Sequence, residues 1–344
     1  MSRRSASSTR QDGFADRVPI IKMALNILYV PIPAIMHPWY DDFLLAIDPR
    51  HSVTLFDPER ALPEQFSGID VVVELGGISH TPEMIRTAVG AGVKLWQISG
   101  TGMDHVDIPT FHKLGLPVAN TPGQFSAVAM AEHAFYFMLC FAKKHDAGQA
   151  QLNEPVWCLP MTEELHSATL GLIGFGNSAK QLARRATAFG MRIMAIDAVD
   201  VPPTTLAEHG VDDFCKTDEL DHLLSASDFV SIHTPLLPST HHLIGKREFE
   251  IMKPSSVLIN VARGAIVDEE ALANAVRDGQ IGGAGLDAFS VEPLPNDHAF
   301  RTLENILITP HNGGGSRGTS RRRGQACAEN IQRITESKTP LYLV

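Results

Sequence analysis

Short apolar runs alternate along this chain with amphipathic stretches. The first runs fall at 26–30 (NILYV), 53–56, 71–75 and 95–98, with a helical pattern opening at the Thr81-Pro82-Glu83 cap between the last two. Alternating strand and helix signals predict an α/β domain with a mainly parallel sheet. Asn120-Thr121-Pro122-Gly123 is a turn signal and marks a domain boundary near Pro122. Residues 127–144 are apolar almost throughout, long enough for a buried helix, but Glu132 and His133 interrupt them too much for a membrane span. Residues 146–166 read as a connecting segment with Trp157 as its apolar anchor.

A second unit follows the same alternation. Its strands are expected at 169–173, 191–196, 229–233, 257–261, 283–287 and 306–308. A helical pattern runs through Leu182, Ala183, Ala186 and Phe189, and others open near Thr217, Lys246 and Asp268, with Leu223-Leu224 and Ala271-Leu272 facing inward. The last helix, over 319–338, needs a partner for Ala326, Ile331 and Ile334, and crossing back to the first unit supplies one. The expected architecture is two Rossmann-like, doubly wound parallel-sheet domains. One comprises 23–122 with 317–344, and the other, 123–316, is inserted into it.

Composition narrows the function classes. A length of 344 residues suits about two domains. With 44% hydrophobic and 20% charged residues, a large core is available. A net charge of −10 argues against a nucleic-acid surface, which needs a basic patch. No apolar run reaches the ~18 residues of a membrane span. Four scattered cysteines, Cys140, Cys158, Cys215 and Cys327, indicate reduced thiols in a cytoplasmic protein, with no disulfide framework and no metal site. Cys140 reads as core. Residues 1–22 form a Ser- and Arg-rich leader without a secretory apolar region, and Asp12 and Asp16 weigh against an organellar transit peptide.

The chemistry centres on Gly171-Leu172-Ile173-Gly174-Phe175-Gly176-Asn177-Ser178-Ala179. Gly174, Gly176 and Ala179 fit G-x-G-x-x-G/A, in which the glycines allow a tight turn and the close approach of a pyrophosphate to a helix start. Alone, such a run is often only a turn. A strand before it, a helix after it and a strand-ending Asp197, at about the roughly 20-residue spacing of a ribose-binding acid, point to a dinucleotide. Ala198, Val199 and Asp200 follow. With no cation there for a 2′-phosphate, the cofactor expected is NAD, and Asp200 adds to the repulsion.

Four other loops end strands with functional groups. Ser99-Gly100-Thr101-Gly102-Met103-Asp104-His105 leaves backbone N–H groups open. Arg263, Glu292 and His311 each stand just past an apolar strand. In doubly wound sheets these loops share one edge. Singly, each has a bland explanation: one of 15 histidines, a surface arginine, a solvated loop acid. Together they suit one reaction. Arg grips a carboxylate with two prongs, His transfers a proton near neutrality, and a carboxylate beside it fixes its tautomer and favours imidazolium.

These residues carry a resemblance. GLIGFGN, HTPLLPSTHHLIG, MKPSSVLINVARGAIVDEEAL, GAGLDAFSVEPL and TPHNGG resemble the D-isomer-specific 2-hydroxyacid dehydrogenase family, which includes phosphoglycerate dehydrogenases and glyoxylate/hydroxypyruvate reductases. The likeness runs from about Asn26 onward. It implies an NAD-dependent oxidoreductase that moves hydride between nicotinamide and C2 of a small 2-oxo or D-2-hydroxy acid. It further implies Arg263 as the carboxylate arginine, His311 as acid/base, Glu292 as its partner, Asp287 near the nicotinamide amide, and Thr101 and Gly102 amides on the substrate. The implied cofactor contacts are Gly174, Gly176, Asn177, Ser178, Asp197, Thr234, Pro235, Val261, Ala262, Arg263, Asp287, His311 and Gly313. The family usually has a bulkier apolar residue at 178 and glycine at 179. Here Ser178 is expected to add a hydroxyl near the pyrophosphate, and the Ala179 methyl to tighten helix–strand packing. No regulatory extension like that of long phosphoglycerate dehydrogenases is expected. The long apolar helix after Pro122 suggests a homodimer. Formate dehydrogenase pairs its histidine with glutamine, so Glu292 argues against it. An NAD(H)-sensing corepressor on the same fold keeps the Arg, Glu and His and stays open as the alternative. Which hydroxy acid is used depends on cleft side chains from several loops and is not readable here.

Overall fold

The computed structural model describes residues 23–76, 80–155 and 157–344, so the leader expected over 1–22 lies outside the described residues. The early apolar runs form β1 (Asn26–Val30), β2 (Ser52–Leu55), β3 (Val71–Glu74) and β4 (Leu95–Ile98), and a two-residue edge strand that the pattern did not announce, β5 (Val118–Ala119), follows them. They pair in parallel in the order β2-β1-β3-β4-β5. The later runs form β6 (Thr169–Ile173), β7 (Arg192–Ile196), β9 (Phe229–Ile232), β10 (Val257–Asn260), β11 (Gly283–Leu286) and β12 (Ile306–Ile308), with an unexpected short edge strand, β8 (Asp213–Cys215), after β7. This second sheet is also parallel, in the order β12-β11-β10-β9-β6-β7-β8. Strands β3, β4, β6, β9, β10 and β11 are buried along their whole length, because crossover helices cover both faces. Strand order reverses between β6 and β9, where the chain leaves the sheet in opposite directions and opens a crevice.

Local chemistry sets the helix starts. Thr81 accepts from the Met84 amide ahead of Pro82, and Gly92 closes that helix in the left-handed conformation. Asp268 caps Glu269–Arg277 and Ser316 caps Arg317–Thr335 in the same way. The helix Ala127–Ala142 buries Ala131, Ala134, Phe137 and Met138. Cys140 on it is only partly buried.

Two expectations need correction. Trp157 does not anchor the connecting segment. It is 87% exposed, and Leu165 at 3% enters the core instead. Phe189 stands just past the end of its helix, 48% exposed, with its ring edge on Phe135. Periodicity finds an apolar residue but cannot say whether the backbone has already turned away from the core.

The final helix returns to the first sheet. Its Cys327 and Ile331 share a core with Leu25, Ile27, Tyr29, Val71 and Leu95. Asn330 donates to Gln97 Oε1 at 2.7 Å, a buried polar link between the helix and β4. The C-terminal ends of both sheets therefore carry the loops that hold the chemistry.

Candidate active site

Gly174 leaves β6 at φ +87°, and a methyl on it would lie 2.9 Å from the Thr234 nitrogen and the His233 carbonyl carbon. The two loops at the crevice touch there, so only glycine fits. Around Gly176 nothing lies within 4 Å of an added Cβ. The helix Asn177–Ala188 starts at this point, and its first N–H groups have no acceptor within the helix. An open turn lined with donors fits the pyrophosphate of a dinucleotide. Ala179 is fully buried against the sheet.

Two sequence expectations change at this turn, those for Ser178 and Asp200. The Ser178 hydroxyl bonds His233 Nδ1 at 2.9 Å and is committed to that partner rather than free for the pyrophosphate. The other ring nitrogen of His233 meets Ser231 Oγ at 2.9 Å. Burial pushes His233 down to about 4, so it stays neutral between the two serines. Asp197 Oδ2 accepts from the Phe175 amide at 2.7 Å and Oδ1 from the Val199 amide at 2.9 Å. Both carboxylate oxygens cap the turn. Each has a second lone pair, so the acid still has acceptor capacity for ribose hydroxyls. Asp200 is ion-paired with Lys216 from the end of β8, so it adds no uncompensated charge.

Four loops meet beyond β4, β10, β11 and β12. Asn260 shapes the first of the three on the second sheet by accepting from the Ala262 amide at 3.0 Å and donating to the Arg263 carbonyl at 2.8 Å. Val261 is buried just beneath. Arg263 then crosses to the first sheet's edge, where its Nε donates to Asp104 Oδ2 at 2.7 Å. Its Nη1 donates to the Ala262 carbonyl at 2.8 Å, and Nη2 lies 1.7 Å from where a Gly102 Cβ would stand. The fork is thus partly taken, and Nη2 is the group presented over the Thr101–Gly102 turn.

His311, with φ 53°, turns its Nδ1 onto Glu292, 2.7 Å from Oε2 and 2.8 Å from Oε1. The Phe289 amide also donates to Glu292 Oε1 at 2.9 Å. Burial pushes the Glu292 carboxyl upward, but the His311 and Phe289 bonds and the nearby Arg263 charge outweigh it and hold the group below its ordinary value. With Nδ1 held by a carboxylate, Nε2 is the nitrogen left for a reacting group.

Asp287 is 1% exposed and serves the loop. Its Oδ1 accepts from Thr309 Oγ1 at 2.6 Å and the Asn312 amide at 2.9 Å, and its Oδ2 accepts from the Gly313 amide at 2.8 Å. His133 donates to Thr309 Oγ1 at 2.8 Å and lies 3.4 Å from Asp287. Burial raises the acid, but these donors more than reverse it and keep it ionised. Asp287 therefore clamps the two sides of His311. Thr234 and Pro235 stand at the crevice beyond β9. The Pro235 carbonyl is already bonded to Thr240 Oγ1 at 2.7 Å.

Residues 135–313 match the profile of the D-isomer specific 2-hydroxyacid dehydrogenase NAD-binding domain. The chain belongs to the D-isomer specific 2-hydroxyacid dehydrogenase family. It is 38% identical over 277 residues to a hydroxypyruvate reductase of Thermotoga maritima, covering 79% of this chain and 85% of that one. It is 33% identical over 278 residues to a D-3-phosphoglycerate dehydrogenase of Methanocaldococcus jannaschii, covering 80% of this chain but only 52% of that longer protein. A solved D-isomer specific 2-hydroxyacid dehydrogenase of Lactobacillus delbrueckii, in its NAD-complexed form, superposes with TM-score 0.78 at 26% identity, covering 93% of this chain and 99% of that one. This family member is an NAD-dependent 2-hydroxyacid oxidoreductase.

Sequence reading missed Asp104, His133, His233, Asn260 and Lys216. Asp104 and Asn260 sat inside motifs already singled out, one beside the amide turn and one ahead of Arg263. His133 stood out as a polar break in the apolar run 127–144, and His233 began a motif already quoted, but Lys216 gave no signal, since its partner is distant in sequence.

Proposed function

We propose that this dehydrogenase reduces a small 2-oxo acid of the glyoxylate or hydroxypyruvate type to the D-2-hydroxy acid, with Arg263, Glu292 and His311 as the working residues. The observation that carries the reading is the Glu292-held His311 on one strand-end loop and, on another, an arginine whose Nη2 overhangs bare backbone at Gly102. The Thr101 and Gly102 amides and Arg263 hold the substrate carboxylate, and Nη2 polarises the C2 oxygen. Bound NADH supplies the hydride that C2 receives. His311 donates the Nε2 proton to the oxygen as C2 is reduced, then regains a proton from water. Glu292 keeps His311 oriented by accepting from its Nδ1. Gly174, Gly176, Asn177, Ser178, Thr234, Pro235, Val261, Ala262 and Gly313 shape the dinucleotide crevice, with Ser178 acting through His233.

The catalytic unit comprises 23–122 with 317–344, and the NAD-binding unit 123–316. The core shared by Ile331 and Leu25 supports that division. A homodimer is favoured by a cluster of exposed apolar residues, Leu152, Trp157, Leu159 and Met161. Unpaired cysteines support a reducing, cytoplasmic setting. No helix among the described residues is long and apolar enough to cross a membrane.

The test is NADH oxidation with glyoxylate, hydroxypyruvate, pyruvate, phenylpyruvate and phosphohydroxypyruvate. Turnover on a 2-oxo acid, lost in His311→Ala, supports the reading. NADH binding with no turnover on any of them would overturn it in favour of a redox-sensing protein.

A further inference from the structure

One turn into the final helix stand three consecutive arginines, Arg321, Arg322 and Arg323, and they go to three different places. Arg321 reaches toward Asp42 at 3.9 Å. Arg322 donates from Nε to the Phe125 carbonyl at 2.8 Å. Arg323 turns inward, beneath the substrate turn. Its guanidinium lies over the Trp39 ring, 5.4 Å from the centroid. Its Nη2 donates to Thr101 Oγ1 at 3.1 Å and its Nη1 faces the Ser99 carbonyl at 3.5 Å. The Nε is sealed from solvent with no acceptor.

This cation has no counter-charge. Among the described residues no carboxylate lies within ion-pair distance of it, whereas Arg263 has Asp104 and His311 has Glu292. Burial pulls Arg323 down to about 10, and neighbouring Arg322 works in the same direction. Holding a largely buried charge without a partner is unfavourable. A neutral donor would tether Thr101 and Ser99 as well without that cost. The arrangement makes sense if the balancing anion arrives with the substrate.

We propose that Arg323 is a positioning residue that supports the substrate carboxylate from below the Thr101–Gly102 turn, opposite Arg263. This rests on the 2-oxo acid reading above and deepens it. Arg263 and Asp104 cancel, His311 and Glu292 cancel, and Arg323 is left with one positive charge. That balance suits a monoanionic 2-oxo acid with an uncharged C3 substituent, and it disfavours a phosphorylated one.

The variant Arg323→Met keeps length and ring contact but removes charge. The expected result is a tenfold or greater rise in KM for glyoxylate and hydroxypyruvate, a smaller fall in kcat, and an unchanged KM for NADH. The Tm of the ligand-free variant should equal or exceed that of wild type, since an uncompensated cation is gone. Oxamate with NADH should raise the Tm of wild type and barely move the variant, while Arg323→Lys should retain most of the wild-type KM. A lowered Tm with KM within twofold of wild type would make Arg323 a structural clamp and overturn the proposal. So would a higher kcat/KM on phosphohydroxypyruvate than on hydroxypyruvate. If wild type reduces no 2-oxo acid, the reaction reading fails by itself. The oxamate arm then decides this proposal: no shift in wild type overturns it, and a shift lost in Arg323→Met upholds an anion site at the turn.

Discussion

Replacing Gly102 with alanine tests the centre of the site by steric means alone. Gly102 does not use the left-handed region, so its backbone accepts a side chain without strain. The added methyl would stand 1.7 Å from Arg263 Nη2, 2.9 Å from Cζ and 3.2 Å from Asp104 Oδ2. Carbon and nitrogen in contact need about 3.5 Å, so the guanidinium must retreat by nearly ~2 Å. That distance breaks its charged hydrogen bonds, both to Asp104 at 2.7 Å and to any substrate oxygen over the turn. One such bond is worth about 1.5–3 kcal/mol. At ~1.4 kcal/mol per decade, kcat/KM for the best 2-oxo acid should fall by about ten- to 150-fold. Both KM and kcat should suffer, because the same group binds the ground state and stabilises the transition state. Stability should hardly move. The Arg263–Asp104 pair is 31% and 40% exposed, and such pairs contribute at most ~1 kcal/mol, a few degrees of Tm. Steady-state NADH oxidation and a thermal melt read both quantities. Activity within threefold of wild type would refute the placement of Arg263 over a substrate-bearing turn.

The other predictions concern the proton, its partner and the cofactor. His311→Ala should lower kcat by about 10²–10⁴ with the Kd for NADH unchanged, and turnover within threefold of wild type would remove His311 from the acid/base role. Glu292→Gln should lower kcat less than His311→Ala does, since the amide oxygen can still accept from Nδ1; activity equal to wild type would break the pairing. The depressed Glu292 carboxyl also ties stability to pH. Its contribution is complete above the ordinary value of 4.5 and is lost as pH falls through the lowered value. The Tm gap between wild type and Glu292→Gln should therefore be widest near neutrality and close in acid, and a gap that widens in acid would contradict this. For the cofactor, wild type should prefer NADH over NADPH at least tenfold in kcat/KM, and Asp197→Ala should narrow the ratio mainly by weakening NADH. Equal use of both cofactors by wild type would show that Asp197 only caps its turn and that Lys216 tolerates the 2′-phosphate.

The chain's local pattern by itself determined the central strands of both parallel sheets, most of the helix starts it announced, and the set Arg263, Glu292 and His311, but not the short edge strands β5 and β8. Each of those features is short-range: a run of buried side chains, a capping residue, a group one or two positions past a strand. In a parallel sheet every such group must open on one edge, so their convergence follows from topology alone. What tertiary structure decided is which partner each polar group takes. Ser178 could face a phosphate or a histidine, and the approach of the β9 loop gave it His233. Asp200 looked like a free acid until β8 brought Lys216 to it. Arg263 looked like an open fork until Asp104, from the other sheet, took its Nε. Trp157 has an anchor's chemistry but no core within reach, whereas Arg323, on a helix patterned for burial, was carried under Thr101. Hydrogen bonds and ion pairs act over a few ångströms between residues that are distant in sequence. Their choice is settled only when packing fixes which loops stand side by side.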